Sequence, residues 1–112
     1  MRKDAVQVFV NVTASASDQV SEIVEVRDES RTNSIQSIIE GTGAVSATVN
    51  WYGSNVKDTS TGELIGINAL SGTTKDSSGG GDNSVQWAYV WAVIPANSIT
   101  GTGAVVNSYF GN

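Results

Sequence analysis

The 112-residue sequence contains no cysteine and no histidine. Disulfides, thiolate catalysis and cysteine-based zinc sites are therefore excluded, as are histidine ligands, Ser-His-Asp triads and an imidazole base titrating near neutrality. Charge is also scarce: six Lys and Arg against eleven Asp and Glu, 15% of residues together, with a net charge of -5. Such a balance offers no basic surface to neutralise phosphates and predicts repulsion from anionic lipid, so neither nucleic acid nor a membrane is expected as a partner. No apolar run is long enough to span a bilayer. The opening MRKDAVQVFVNV alternates where a signal peptide would be continuously apolar, so synthesis in a cytosol is expected.

A single proline is set against twelve glycines, and 39% of residues are hydrophobic. The Val, Ile and aromatic residues fall in short periodic runs, which predicts a folded, turn-rich chain. Its length suits one domain over residues 1–112.

Period-two alternation recurs and no segment carries a capped helical stripe, so the expected fold is all-β. Val6, Val8, Val10 and Val12 alternate on one face of a first strand, with Gln7, Phe9, Asn11 and Thr13 on the other. A second candidate covers Val20 to Arg27, and the charged Arg27 to Asn33 reads as an exposed connection. Ser34 to Glu40 and Ala44 to Tyr52 are the third and fourth strands, the latter with Val45, Ala47, Val49 and Trp51 on one face. Leu64 to Leu70 is the fifth.

Ser71 to Ser84 has no apolar residue and contains Gly79 to Gly81, so it reads as a long flexible loop. In the sixth strand, Val85 to Ile94, alternation places Val85, Trp87, Tyr89, Trp91 and Val93 opposite Ala88, Val90, Ala92 and Ile94. Two apolar faces imply a strand central in its sheet or covered by another subunit. Pairing should weaken at Pro95. Ala104 to Phe110 is the seventh. Seven short antiparallel strands predict a single-domain β-sandwich with jelly-roll or Greek-key-like connections.

The pentapeptide GTGAV occurs at Gly41 to Val45 and again at Gly101 to Val105. Each copy lies between two strands and is followed by an aromatic pair, then Gly and Asn. Gly41, Gly43, Gly101 and Gly103 therefore read as structural turns at hairpin tips. A phosphate cradle would need a helix N-terminus or a basic partner, and neither follows.

The order GTGAVSATVNWYGSN (Gly41 to Asn55), LSGTT (Leu70 to Thr74) and WAYVWAVIPANSITGTGAVV (Trp87 to Val106) resembles small structural proteins of tailed bacteriophages. Members of that family show a strand ending in GSNDG, an SGTT turn, then W-x-Y-V-R-A leading through I-T-G-T-G-A to a last strand. Here Val56, Lys57 and Asp58 replace Asp-Gly after GSN, lengthening that turn, and Trp91 stands where the family often has Arg.

The resemblance implies a non-enzymatic virion component made in the bacterial host cytoplasm. Its expected role is a capsid decoration or cement protein that forms dimers or trimers and clamps the major capsid protein, or else a tail, neck or baseplate protein contacting other virion proteins. The candidate interface is Trp87, Tyr89, Trp91 and Val93, with the arm Met1 to Ala5 nearby. Replacing Trp91 with Arg is then expected to weaken association more than folding.

Other chemistry is thin. Glu22, Glu25, Asp28 and Glu29 form the densest acidic cluster, and a solvated edge that discourages aggregation explains it better than an acid-base pair. Asp76, Asp82 and Asn83 bracket the glycine run without EF-hand spacing, so no metal is expected and no cofactor either. Trp51, Tyr52, Trp87, Tyr89 and Trp91 also raise a carbohydrate-stacking platform, although alternation favours packing. No residue set points to an enzyme.

Overall fold

A computed structural model describes residues 5–26, 33–82 and 87–111. They build seven antiparallel strands: β1 Ala5–Val12, β2 Gln19–Val20, β3 Val24–Glu25, β4 Asn33–Ser54, β5 Glu63–Asp82, β6 Tyr89–Ile94 and β7 Thr100–Gly111. A single 3-10 turn, Thr59–Thr61, interrupts the connection from β4 to β5.

β4 organises the rest. β5 follows one of its edges from Asn33↔Asp82 to Gly53↔Glu63. Along the other edge β7 and β6 lie end to end, β7 from Ser34↔Gly111 to Ser46↔Thr100 and β6 from Asn50↔Val93 to Ser54↔Tyr89. β1 borders β7, while β2 and β3 border β6. The chain thus forms long antiparallel ribbons folded over near their middles, so that two layers of a jelly-roll-like sandwich face each other. Trp51 from one layer and Phe110 from the other meet with ring centroids 6.3 Å apart.

The fold line is visible in the backbone. Four of the six described residues with positive φ, Gly43, Thr74, Gly101 and Gly103, lie at or beside it; Asn11 falls in a register shift of β1 and Asn97 in the β6–β7 connection. Register shifts between Glu40 and Ala44 in the β4–β5 pairing, and from Glu40 to Ser46 in the β4–β7 pairing, mark the same place. Neither GTG is a hairpin tip. The first bends β4 without ending it, and the second opens β7, with Thr42 paired to Thr102. A corner in a paired ribbon demands the same left-handed backbone as a chain reversal, so the sequence signal is common to both.

Pro95 falls in the break between β6 and β7. The amides released there find partners in the β1–β2 connection: Ala96 N donates to Asp18 Oδ1 (2.8 Å) and Asn97 N to the Ser15 carbonyl (2.8 Å).

Inside, Ile39, Val49, Trp51, Val90, Ala92, Ile94, Val106 and Phe110 are buried. Among them sits a polar knot that joins the layers. Asn68 Oδ1 accepts from Trp51 Nε1 and from Ser37 Oγ, each at 2.8 Å, and Ser37 Oγ is 2.7 Å from Ser108 Oγ. Buried polar groups cost free energy unless partnered, so these bonds let a core asparagine be tolerated while fixing the registers of β4, β5 and β7.

Several strand assignments change. Phe9 is buried while Val10 is 63% exposed, the reverse of the alternation, because register shifts on both sides of Phe9 rotate β1. The second candidate strand divides into β2 and β3, which turns Val20 outward and Val24 inward. The third and fourth strands are one.

Ser71 to Asp82 is not a loop. It is the second half of β5, since ladder bonds come from the backbone and this edge strand needs a partner on one side only. The sixth strand begins at Tyr89. Residues 1–4, 83–86, Asp28 and Glu29, and most of the Arg27 to Asn33 connection, lie outside the described residues.

Candidate assembly surface

The four aromatic-strand residues do not share one face. β6 is flanked by β4 on one side and by β2 and β3 on the other, with Val90, Ala92 and Ile94 facing the core. Tyr89, Trp91 and Val93 face outward, paired respectively with Ser54, Tyr52 and Asn50 of β4. Trp87 precedes the strand and packs over Gly53 at the end of the core.

Trp91 is 1% exposed, covered by its own chain and not left for a partner. Its ring stacks on Tyr52 at 6.4 Å and 19°. The connection 55–62 folds over the pair, with Gly62 so close that a Cβ there would come within 2.5 Å of Trp91 Cζ2.

That connection is braced by its own polar groups. Asp58 caps the 3-10 turn through Ser60 N (2.9 Å) and Ser60 Oγ (2.8 Å), and Thr61 Oγ1 lies 2.7 Å from Ser54 Oγ. The bonds from Ser60, backbone first and side chain second, hold the Asp58 carboxyl below the ordinary aspartate range. The 55–62 connection thus acts as a cover for Trp91.

What remains open on this face is a row in which only Val93 belongs to the expected interface. Val20 pairs with Val93, Val93 with Asn50, and Asn50 with Ile67, so these four side chains cross β2, β6, β4 and β5 on the outer surface. Leu64 lies in the next row, paired with Tyr52. Val20, Ile67 and Leu64 are each just over half exposed, at 53%, 53% and 54%. The pairing skips Ile65 between Trp51↔Gly66 and Tyr52↔Leu64, and this bulge puts Leu64 and Ile67 on the same face where strict alternation would separate them. No signal in the sequence marks that bulge.

Two of the five aromatics of the expected carbohydrate platform are withdrawn from the surface, while Tyr52, Trp87 and Tyr89 are half-buried. Trp51 is fully buried with its N–H committed to Asn68, and Trp91 is buried under the 55–62 connection. A sugar ring would reach neither of these two indoles. Of the acidic residues, Glu22 and Glu25 are exposed, and Asp76 Oδ2 accepts from Ser71 N at 2.8 Å across the bend of β5. Among the described residues no three potential metal ligands cluster.

No family model matches the chain, and no curated protein matches it. The chain is similar to a solved structure of Bacillus endospore appendages, a novel family of disulfide-linked pili, with 18% identity and a TM-score of 0.43 over 99% of this chain and 88% of that one. A likeness of that degree carries no conclusion about this protein, which in any case has no cysteine to link.

Proposed function

We propose that this chain is a non-enzymatic structural protein of a tailed-bacteriophage virion, a capsid decoration or cement protein that self-associates and clamps the major capsid protein. The observation that carries the reading is the set of half-exposed apolar side chains Val20, Ile67 and Leu64 on the outer face, with the half-buried Val93 beside Val20. The ordered motifs from Gly41 to Val106, with their likeness to phage structural proteins, supply its context.

The magnitudes favour an oligomer. Burying the remaining half of a Val, Leu or Ile side chain gains roughly 1 kcal/mol, so one row contributes only about 3. Fixing one free protein on a surface costs about 4 kcal/mol or more in lost freedom. A dimer or trimer engages several rows in one attachment event and overcomes that cost through effective concentration.

The test is cosedimentation of purified protein with shells depleted of it. Saturable binding at a fixed ratio to the major capsid protein is expected. Failure to bind, in a protein that stays monomeric at high concentration, contradicts the proposal, and attachment confined to labelled tails would move it to a tail position.

A further inference from the structure

The two flanks of the sandwich are unlike. On one, β5 folds back on itself so closely that a Cβ on Gly72 would come within 2.6 Å of the Lys75 carbonyl oxygen. On the other, β1 and the segment containing β3 border an open groove of about 580 Å3. The groove lies between the two ends of the sheet, since β1 pairs only with β7, and β2 and β3 only with β6, among the described residues. Val6 and Val10 line it from β1, and Ile23 and Val24 line it from the opposite bank. Val6 is 40% exposed although its partner in the ladder, Phe110, is buried in the core. Glu22 and Glu25 add two exposed carboxylates, and no described lysine or arginine lines the groove.

Unpaired strand edges on both banks, apolar side chains between them and negative charge on one side define the ligand's chemistry. We propose that this groove receives one extended segment of a partner protein, with apolar residues at alternate positions and at least one lysine or arginine. Laid between β1 and β3, such a segment forms ladder bonds with an edge strand, turns alternate side chains onto Val6 and Val24, and sets its cation against Glu22 or Glu25. The segment closes the flank that the described residues leave open. This goes beyond the capsid reading, because the groove is on the side of the sandwich and not on its outer face.

Two synthetic peptides test it, each matched to the eight residues of β1. One alternates valine and threonine with a lysine at each end, and the other carries glutamate at those ends. Methyl NMR of the full chain follows Val6, Val10, Ile23 and Val24 during titration. The lysine peptide is expected to shift these methyls saturably, and the glutamate peptide is not. Glu22→Gln and Glu25→Gln should each weaken the lysine peptide by up to about fivefold, with a further loss at high salt. Val10→Glu should abolish binding while leaving the melting temperature unchanged, since Val10 is 63% exposed.

Equal binding of both peptides, or of neither, overturns the proposal. Shifts of the same methyls on concentrating the protein alone would assign the groove to a second copy and overturn it as well. Each result stands independently of whether the protein binds capsids.

Discussion

Thr42 and Thr102, the centres of the two GTG triplets, are paired with each other across β4 and β7. The glycines around them make that pairing possible. A Cβ on Gly41 would lie 3.1 Å from Ala104 Cα and from the Thr102 carbonyl oxygen, and one on Gly101 would lie 2.7 Å from the Ala44 carbonyl oxygen. The repeated words are two halves of one corner, which is why they recur in similar contexts without being a structural repeat.

Alanine substitutions at the corner should therefore differ in cost. Gly43 has a φ of +73° with open space around its Cα, so Gly43→Ala should cost about 1 to 2 kcal/mol, the left-handed penalty alone. Gly101 combines a φ of +123° with backbone contact, so Gly101→Ala should cost about 3 kcal/mol or more. Urea unfolding measures both. Equal costs would mean that the two triplets are not packed against one another.

The corner also marks how far the sequence could be read. Residues whose neighbours keep strict alternation, such as Val45, Ala47, Val49 and Trp51 on β4 or Val90, Ala92 and Ile94 on β6, lie on the face that periodicity assigns them. Phe9 and Leu64 do not, because register shifts around Phe9 and the bulge at Ile65 exchange the faces beyond them. Ser71 to Asp82 was illegible for a different reason. An edge strand with little to bury carries no hydrophobic period, and only the backbone of β4 declares its partner. For the candidate surface, Val93 and Tyr89 were legible as outward residues of an apolar strand, whereas the cover over Trp91 depends on where the 55–62 connection folds.

Asn68 provides a second test. Asn68→Leu removes the acceptor of Trp51 Nε1 and of Ser37 Oγ inside the core, and each orphaned donor carries a desolvation penalty. A loss of about 2 to 4 kcal/mol is expected by chemical denaturation. In a double-mutant cycle with Trp51→Phe, the two losses should be less than additive, because both substitutions break one bond.

The fate of Trp91 reverses the expectation drawn from its position in the sequence. Trp91→Arg should unfold the connection 55–62 and cost more than about 3 kcal/mol, because it buries a charge against Tyr52 and Gly62. Thermal unfolding and near-ultraviolet circular dichroism report it. A folded variant with an unchanged melting temperature and a reduced oligomer mass would restore Trp91 as an interface residue.

Asp58 gives the connection an acid limit. Its carboxyl is held below the ordinary aspartate range, so its contribution is fully present above the unfolded value and is lost as pH falls through the lower, folded value. Carbon NMR should show Asp58 titrating below an unstructured aspartate. Ser60→Ala removes the side-chain donor and should move that titration upward, while backbone donation from Ser60 N keeps part of the shift.

The claim that the outer apolar row attaches this protein to a shell is tested most directly by one comparison: cosedimentation of the wild-type chain and of the double variant Val20→Lys, Ile67→Lys with shells depleted of the protein. Both positions are just over half exposed, so the variant should melt within a few degrees of the wild type. The account predicts that the wild type binds saturably and the folded variant does not. Undiminished binding by the variant would contradict it.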